Sequence, residues 1–249
     1  MEGRGAIGSG RTDSVTTRSK RREILELAIP YALILLVCWT TRPWQRLLWV
    51  IAAASIVAIT CVSFDGRQAM GLRATNFFSS FWVVGAALAA AAVAVTVAAR
   101  LHTLHLPGSP ATGSGRWGGI PASLVLFVET YWGYALWAAV QQFLLQCFFL
   151  SRLRRLLPSA RLAAVAAAVI FALAHLPSPI LASVTLLWGF AACLLFLRYR
   201  NLYTLALAHA ILGITIAITI PGPVDHNMRV GLGYLTYGHT HKPVLSPQP

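Results

Sequence analysis

The chain has 249 residues, 57% of them hydrophobic and only 11% charged, with a mean hydropathy of +0.67. Globular domains carry about 25% charged residues, so this balance excludes an ordinary soluble domain and implies a polytopic membrane protein. The net charge of +13 would suit nucleic acid, but Lys and Arg sit in tails and loops between apolar runs, where they act as topology signals. No nucleic-acid partner is expected.

A helix needs roughly 20 apolar residues to cross ~30 Å of hydrocarbon. Apolar runs near 24–40, 47–64, 77–99, 120–150, 161–176, 180–197 and 202–220 allow about seven crossings. The period-2 alternation of a membrane barrel is absent. The expected fold class is therefore all-α, a polytopic transmembrane helical bundle. With the N-terminus inside, 14 of the 20 Lys and Arg fall on the inner side and 6 on the outer. That bias predicts a multi-pass protein of the cell (plasma or inner) membrane, N-terminus cytoplasmic and C-terminus outside.

Residues 1–22 read as a disordered basic cytoplasmic arm, whose basic residues 18–22 suit anionic headgroups of the membrane lipid. Arg21-Arg22 precedes an apolar run, but no small-residue cleavage site follows, so the first helix is expected to be uncleaved. The bundle occupies 23–220. Pro30 is placed to kink the first span, and Gly85 to let the Ala- and Val-rich third span approach a neighbour. Residues 101–119 read as a loop in which His102 and His105 are solvated. The fourth span, 120–150, would run ~46 Å as a helix, so it is expected to tilt or to begin outside the bilayer; only a break near Gly133 would bring Glu129 beside the glutamines. Glu129 is expected at the outer interface. Residues 221–249 read as a polar, unstructured tail carrying His226, His239 and His241. Cys38, Cys61, Cys147 and Cys193 lie in apolar runs without a C-x-x-C pair and read as buried free thiols.

Three blocks break the apolar pattern: Gln141-Gln142-x-x-x-Gln146, Phe171-Ala-Leu-Ala-His175 and His209-Ala-Ile-Leu-Gly213. Gln142 and Gln146 share a helix face, and Gln141 flanks them about 100° away. Counted from the inner surface, Gln141 and Gln142 lie ~15 Å deep, His175 ~21 Å and His209 ~12 Å. A lone Gln in a membrane helix serves equally well as interhelical glue, worth ~0.6–2 kcal/mol. Several polar side chains at one level on three spans instead favour a shared functional pocket.

Over about residues 120–215, the order and spacing of these blocks resemble the CPBP family (CAAX proteases and bacteriocin-processing enzymes), multi-span intramembrane endopeptidases. The family pattern is E-E-x-x-x-R, then F-x-x-x-H, then H-x-x-x-N or H-x-x-x-D. Phe171 and His175 fit the second block and His209 opens the third. The basic stretch Ser151–Arg155, and Trp188-Gly189 through Arg200-Asn201-Leu202, are also similar. Gln141 and Gln142 stand where the family has glutamates, Gln146 where it has arginine, and Gly213 where it has asparagine or aspartate. The resemblance implies Gln141, Gln142, His175 and His209 as catalytic positions, with Gln146, Phe171 and Gly213 as oxyanion, substrate or supporting positions. In the family the glutamate and histidines are thought to activate water, while the asparagine helps hold the oxyanion. Glutamine orients a water but cannot take its proton. A lost general base costs about 10²–10⁴ in rate and a lost oxyanion donor about 10²–10³. The arginine disappears together with the paired acids, so a neutral cluster replaces an ionic one.

Two functions follow. One is an intramembrane endopeptidase acting on membrane-associated peptides or proteins, with His175 or His209 as base. The alternative is a catalytically impaired pseudoprotease that binds such partners without cleavage. No cofactor is expected. A divalent metal at His175 and His209 is the alternative there, but two good ligands fall short of the three of a catalytic zinc site. A transporter would favour internal repeats, and none is present.

Overall fold

Inside hydrocarbon every backbone N–H and C=O has to be satisfied within the chain, which leaves helices as the simplest solution for runs of Ala, Val, Leu and Ile. The computed structural model describes residues 9–64, 66–73, 76–105, 116–117 and 120–237. Apart from one hairpin of two-residue strands, β1 (Arg116–Trp117) and β2 (Ile120–Pro121), it is helical. The helices are α1 (Ser9–Trp39), α2 (Trp44–Val62), α3 (Phe77–Ser80), α4 (Trp82–Arg100) and α5 (Ala122–Gln142). After a π-helical segment, Phe143–Leu150, come α6 (Ser151–Leu156), α7 (Ala160–Leu173), α8 (Pro179–Tyr199), α9 (Leu202–Thr219), α10 (Gly222–Asp225) and α11 (Leu232–Leu235).

Among the described residues, five helices are long and apolar enough to cross a membrane: Trp44–Val62, Phe77–Arg100, Val125–Leu156, Pro179–Tyr199 and Leu202–Thr219. The other two expected spans take different forms. α1 is 31 residues long but polar over its first half, and Pro30 lies within it without ending it. α7 has only 14 residues, ~21 Å of helix, and stops before His175. Residues 1–8 and 238–249, including His239 and His241, lie outside the described residues.

α9 is the central element, with α4 and α5 packed along it, while α7 pairs with α8 and α1 with α2. The α7–α8 pairing depends on small side chains. Ala163, Ala164, Ala167 and Ala168 are buried, and a β-carbon on Gly189 would already press on Ala168 and Phe171. Without a hydrophobic driving force between helices in lipid, such close approach supplies the attraction. The buried core, including Leu145, Leu150, Phe196 and Leu205, lies on the α6 side of the glutamines. Gly85 and Gly133 meet nothing within 4 Å, so neither marks a close crossing, and α5 runs through Gly133 unbroken. Cys147 and Cys193 are buried, whereas Cys38 is half-buried and Cys61 exposed; all four are free.

Side-chain caps start the last three long helices. Ser159 accepts from Leu162, Ser178 from Leu181, and Asn201 from both Tyr203 and Thr204. Ion pairs tie α1 to α6: Glu23 receives two hydrogen bonds from Arg155, and Glu26 sits 3.4 Å from Arg152. Residues 221–237 do not trail away as a tail. Gly231 N–H donates to the Leu176 carbonyl, and the His226 ring stacks on Tyr237 with centroids 5.0 Å apart.

Asn201 is buried, and its side-chain oxygen holds two otherwise orphaned N–H groups at the start of the central helix. Asn201→Ala is expected to lower stability by about 1–2 kcal/mol, read as an earlier thermal transition in detergent. A loss below about 0.5 kcal/mol would show that packing alone fixes the start of α9.

Candidate active site

The long helix that begins at α5 changes pitch directly after Gln141-Gln142. From Phe143 to Leu150 it is π-helical, a wide turn found often at functional sites. Gln142 and Gln146 are both fully buried. Gln146 Nε2 donates to Gln142 Oε1 at 3.3 Å, and Gln142 Nε2 lies 3.0 Å from His209 Nδ1. An amide nitrogen donates, so His209 Nδ1 accepts and the ring proton sits on Nε2. The Gln146 carbonyl oxygen is buried without a partner.

His175 is set the opposite way. It lies in the turn after α7, where its Nδ1 is 2.7 Å from the Phe171 carbonyl oxygen. A carbonyl oxygen only accepts, so the proton is on Nδ1 and the Nε2 lone pair is free. The Phe171 ring joins the two imidazoles, with centroids 4.7 Å from His175 and 6.0 Å from His209, both edge-on. Trp188 of α8 supports the other side of His209 at 6.1 Å. Among the described residues neither Nε2 has a protein partner.

Both rings line a cavity of about 680 Å³, within the 300–1,000 Å³ usual for ligand sites. Gln141, Phe171, Trp188 and Gly213 line it as well. Gln142 and Gln146 do not: they stand one layer behind and hold His209. The expected site residues are thus one connected group in two layers. Lining residues Trp49, Val57, Trp137 and Val140 are also exposed on the bundle's outer surface, so the cavity reaches the lipid-facing side. Trp49 and Trp137 touch there, 5.9 Å between centroids. Asn227, Met228 and Val230, from the segment read as tail, line another part of the wall.

Glu129 is exposed, more than three turns before Gln141, and none of the described lining residues is an Asp or Glu. Among the described residues no three His, Cys, Asp or Glu side chains converge. The donor set therefore does not fit a catalytic zinc, which takes three protein ligands.

Tyr134 is a lining residue that the sequence reading missed. Its hydroxyl packs so closely on Gly213 that any β-carbon there would collide with it. The signal was its spacing: Tyr134 precedes Gln141 by seven residues, two helical turns on the same face.

The opposed tautomers are directly observable. Nitrogen-15 spectra of histidine-labelled protein should show His175 protonated on Nδ1 and His209 on Nε2. Gln142→Leu should remove the His209 preference and leave the His175 signal in place.

No curated protein and no solved structure matches the chain. Residues 123–215 do match a family model, that of the Rce1-like type II CAAX prenyl endopeptidases. That stretch contains Tyr134, all three glutamines, both histidines, Phe171 and Gly213. The part of the chain that builds this site is therefore similar to the Rce1-like, type II CAAX prenyl endopeptidases over 93 of the 249 residues.

Proposed function

We propose that the protein is an intramembrane endopeptidase that hydrolyses a membrane-associated peptide or protein, with His175 as the general base. The observation that carries this is the 2.7 Å contact from His175 Nδ1 to the Phe171 carbonyl, which leaves Nε2 basic on the cavity side. A neutral imidazole has the right proton affinity for base catalysis near neutral pH.

In this reading the scissile carbonyl enters beside His209, and a water sits between the carbonyl carbon and His175 Nε2, steadied by the Gln141 amide. His175 takes one water proton as the water oxygen bonds to carbon, and the carbonyl electron pair moves onto its oxygen. His209 Nε2–H donates to that oxygen. As the tetrahedral carbon collapses, the C–N bond breaks and the leaving nitrogen takes the proton from His175. Gln142 keeps His209 in the donating tautomer throughout. The distribution of Lys and Arg supports a plasma or inner membrane location with the N-terminus in the cytoplasm, which puts Arg154 and Arg155 of α6 at the inner surface.

One observation favours a second reading, a family member that captures membrane peptides without cutting them. The glutamates of the family pattern are replaced by amides, and among the described residues no carboxylate lines the cavity.

Protein reconstituted in vesicles should release product from a membrane-anchored reporter peptide, and His175→Ala should bring release to background. Turnover that survives His175→Ala would remove His175 as the base. Under the second reading, wild type binds the reporter without product. Hydrolysis would then appear only after Gln141→Glu, Gln142→Glu, Gln146→Arg and Gly213→Asn are combined with Tyr134→Ala, which makes room for Asn at 213.

A further inference from the structure

Four residues with polar side chains are among those lining the cavity: His175, His209, Gln141 and Tyr134. The Tyr134 hydroxyl has no place in the resemblance or in the mechanism above. It lies against Gly213, one helical turn beyond His209 on the same face of α9. Among the described residues it neither donates to nor accepts from any protein group. Yet the phenol is held firmly, because its ring fills the space that a side chain at 213 would need, with the ring carbons Cζ and Cε1 also within collision range of a β-carbon. Tyr134 in this position therefore requires a glycine at 213.

We infer that Tyr134 is a catalytic residue, whose hydroxyl donates a hydrogen bond to the oxygen on which charge develops during peptide hydrolysis. This inference rests on the endopeptidase reading and deepens it. The chemistry needs a donor that is fixed in advance, carries no charge in lipid, and sits beside the group that polarises the carbonyl. The phenol meets all three conditions, and its proton stays on oxygen, so the step remains balanced as written above. Gly213 has no side chain to offer a donor. The hydroxyl that excludes one from that position supplies it from α5.

Tyr134→Phe tests this most directly, because it keeps the ring against Gly213 and removes only the O–H. On the reporter peptide, kcat should fall about 10²–10³-fold while KM changes less than about threefold and the thermal transition in detergent stays in place. Tyr134→Ala should lose at least as much. Adding Gly213→Asn to Tyr134→Ala should recover part of the loss, since an amide then occupies the freed space, whereas Gly213→Asn alone should clash. Wild-type rates in Tyr134→Phe, with His175→Ala inactive, would overturn the inference and leave the endopeptidase reading standing. If wild type proves not to cleave, affinity decides instead. A peptide phosphinate mimicking the tetrahedral oxyanion should bind wild type at least tenfold tighter than Tyr134→Phe, while the matching amide peptide binds both equally. Equal phosphinate affinity would overturn the inference independently of turnover.

Discussion

The site depends on one constraint: polar side chains surrounded by hydrocarbon have to satisfy each other. An unpaired buried amide costs about 1–3 kcal/mol in proteins, and an unpaired buried ion far more. The line from Gln146 to Gln142 to His209 meets this demand with neutral groups alone. It also has direction, since Gln146 donates to Gln142 and Gln142 donates onward, and the direction ends on His209 Nδ1. Structural satisfaction and the choice of tautomer are thus the same set of hydrogen bonds. A carboxylate in place of Gln142 would accept instead of donate. It would draw the His209 proton onto Nδ1, and the ring's cavity-side nitrogen would change from donor to acceptor.

The rest of the fold keeps this line in register. The π-helical segment starts one residue after Gln142, so the wide turn lies beneath the amide pair. Cys147 Sγ, 3.1 Å from the Met70 carbonyl, ties it to the turn at residues 66–73. That turn in turn supports α9. Leu202 N–H donates to the Gly71 carbonyl, and Gly71 adopts a positive φ of 66° so tightly packed that a β-carbon would strike the Arg200 backbone. His209 is therefore fixed from both ends of its environment, by the cap and turn at the start of α9 and by the amides beside it.

Much of this was legible in the residue pattern. Spans, order and depth brought Gln141, Gln142, His175 and His209 to one level, and the i,i+4 spacing of Gln142 and Gln146 became an actual hydrogen bond. The 100° between Gln141 and Gln142 showed that they face different ways. Which of them faces the cavity depends on how α5 is rotated against α9, a tertiary quantity that no local pattern encodes. His175 read as part of a span because Phe171-Ala-Leu-Ala-His175 has helical character. The contrary signal was Pro177, which disfavours helix in the residue before it, and the chain indeed turns there. The pairing of Tyr134 with Gly213 was not legible at all, because it arises from the register between two helices about 80 residues apart. His226 read as tail from its Pro- and Gly-rich surroundings, whereas Tyr234 and Tyr237 give it aromatic partners on the folded chain.

The arrangement also bears on where water for hydrolysis would be held. A cavity that reaches the lipid-facing surface through Trp49 and Trp137 gives an apolar segment a sideways route in, but hydrocarbon brings no water with it. A buried water is retained when two to four polar partners hold it. The cavity lining offers such a set: His175 with a basic Nε2, His209 with its Nε2–H, the Gln141 amide and the Tyr134 hydroxyl, groups without protein partners among the described residues. In a soluble protein four polar groups so left would be a defect of folding. Here Gln142 is committed on both sides, and under the proposed reaction the four groups among the cavity-lining residues are those that would accept a proton, donate to an oxyanion and hold water.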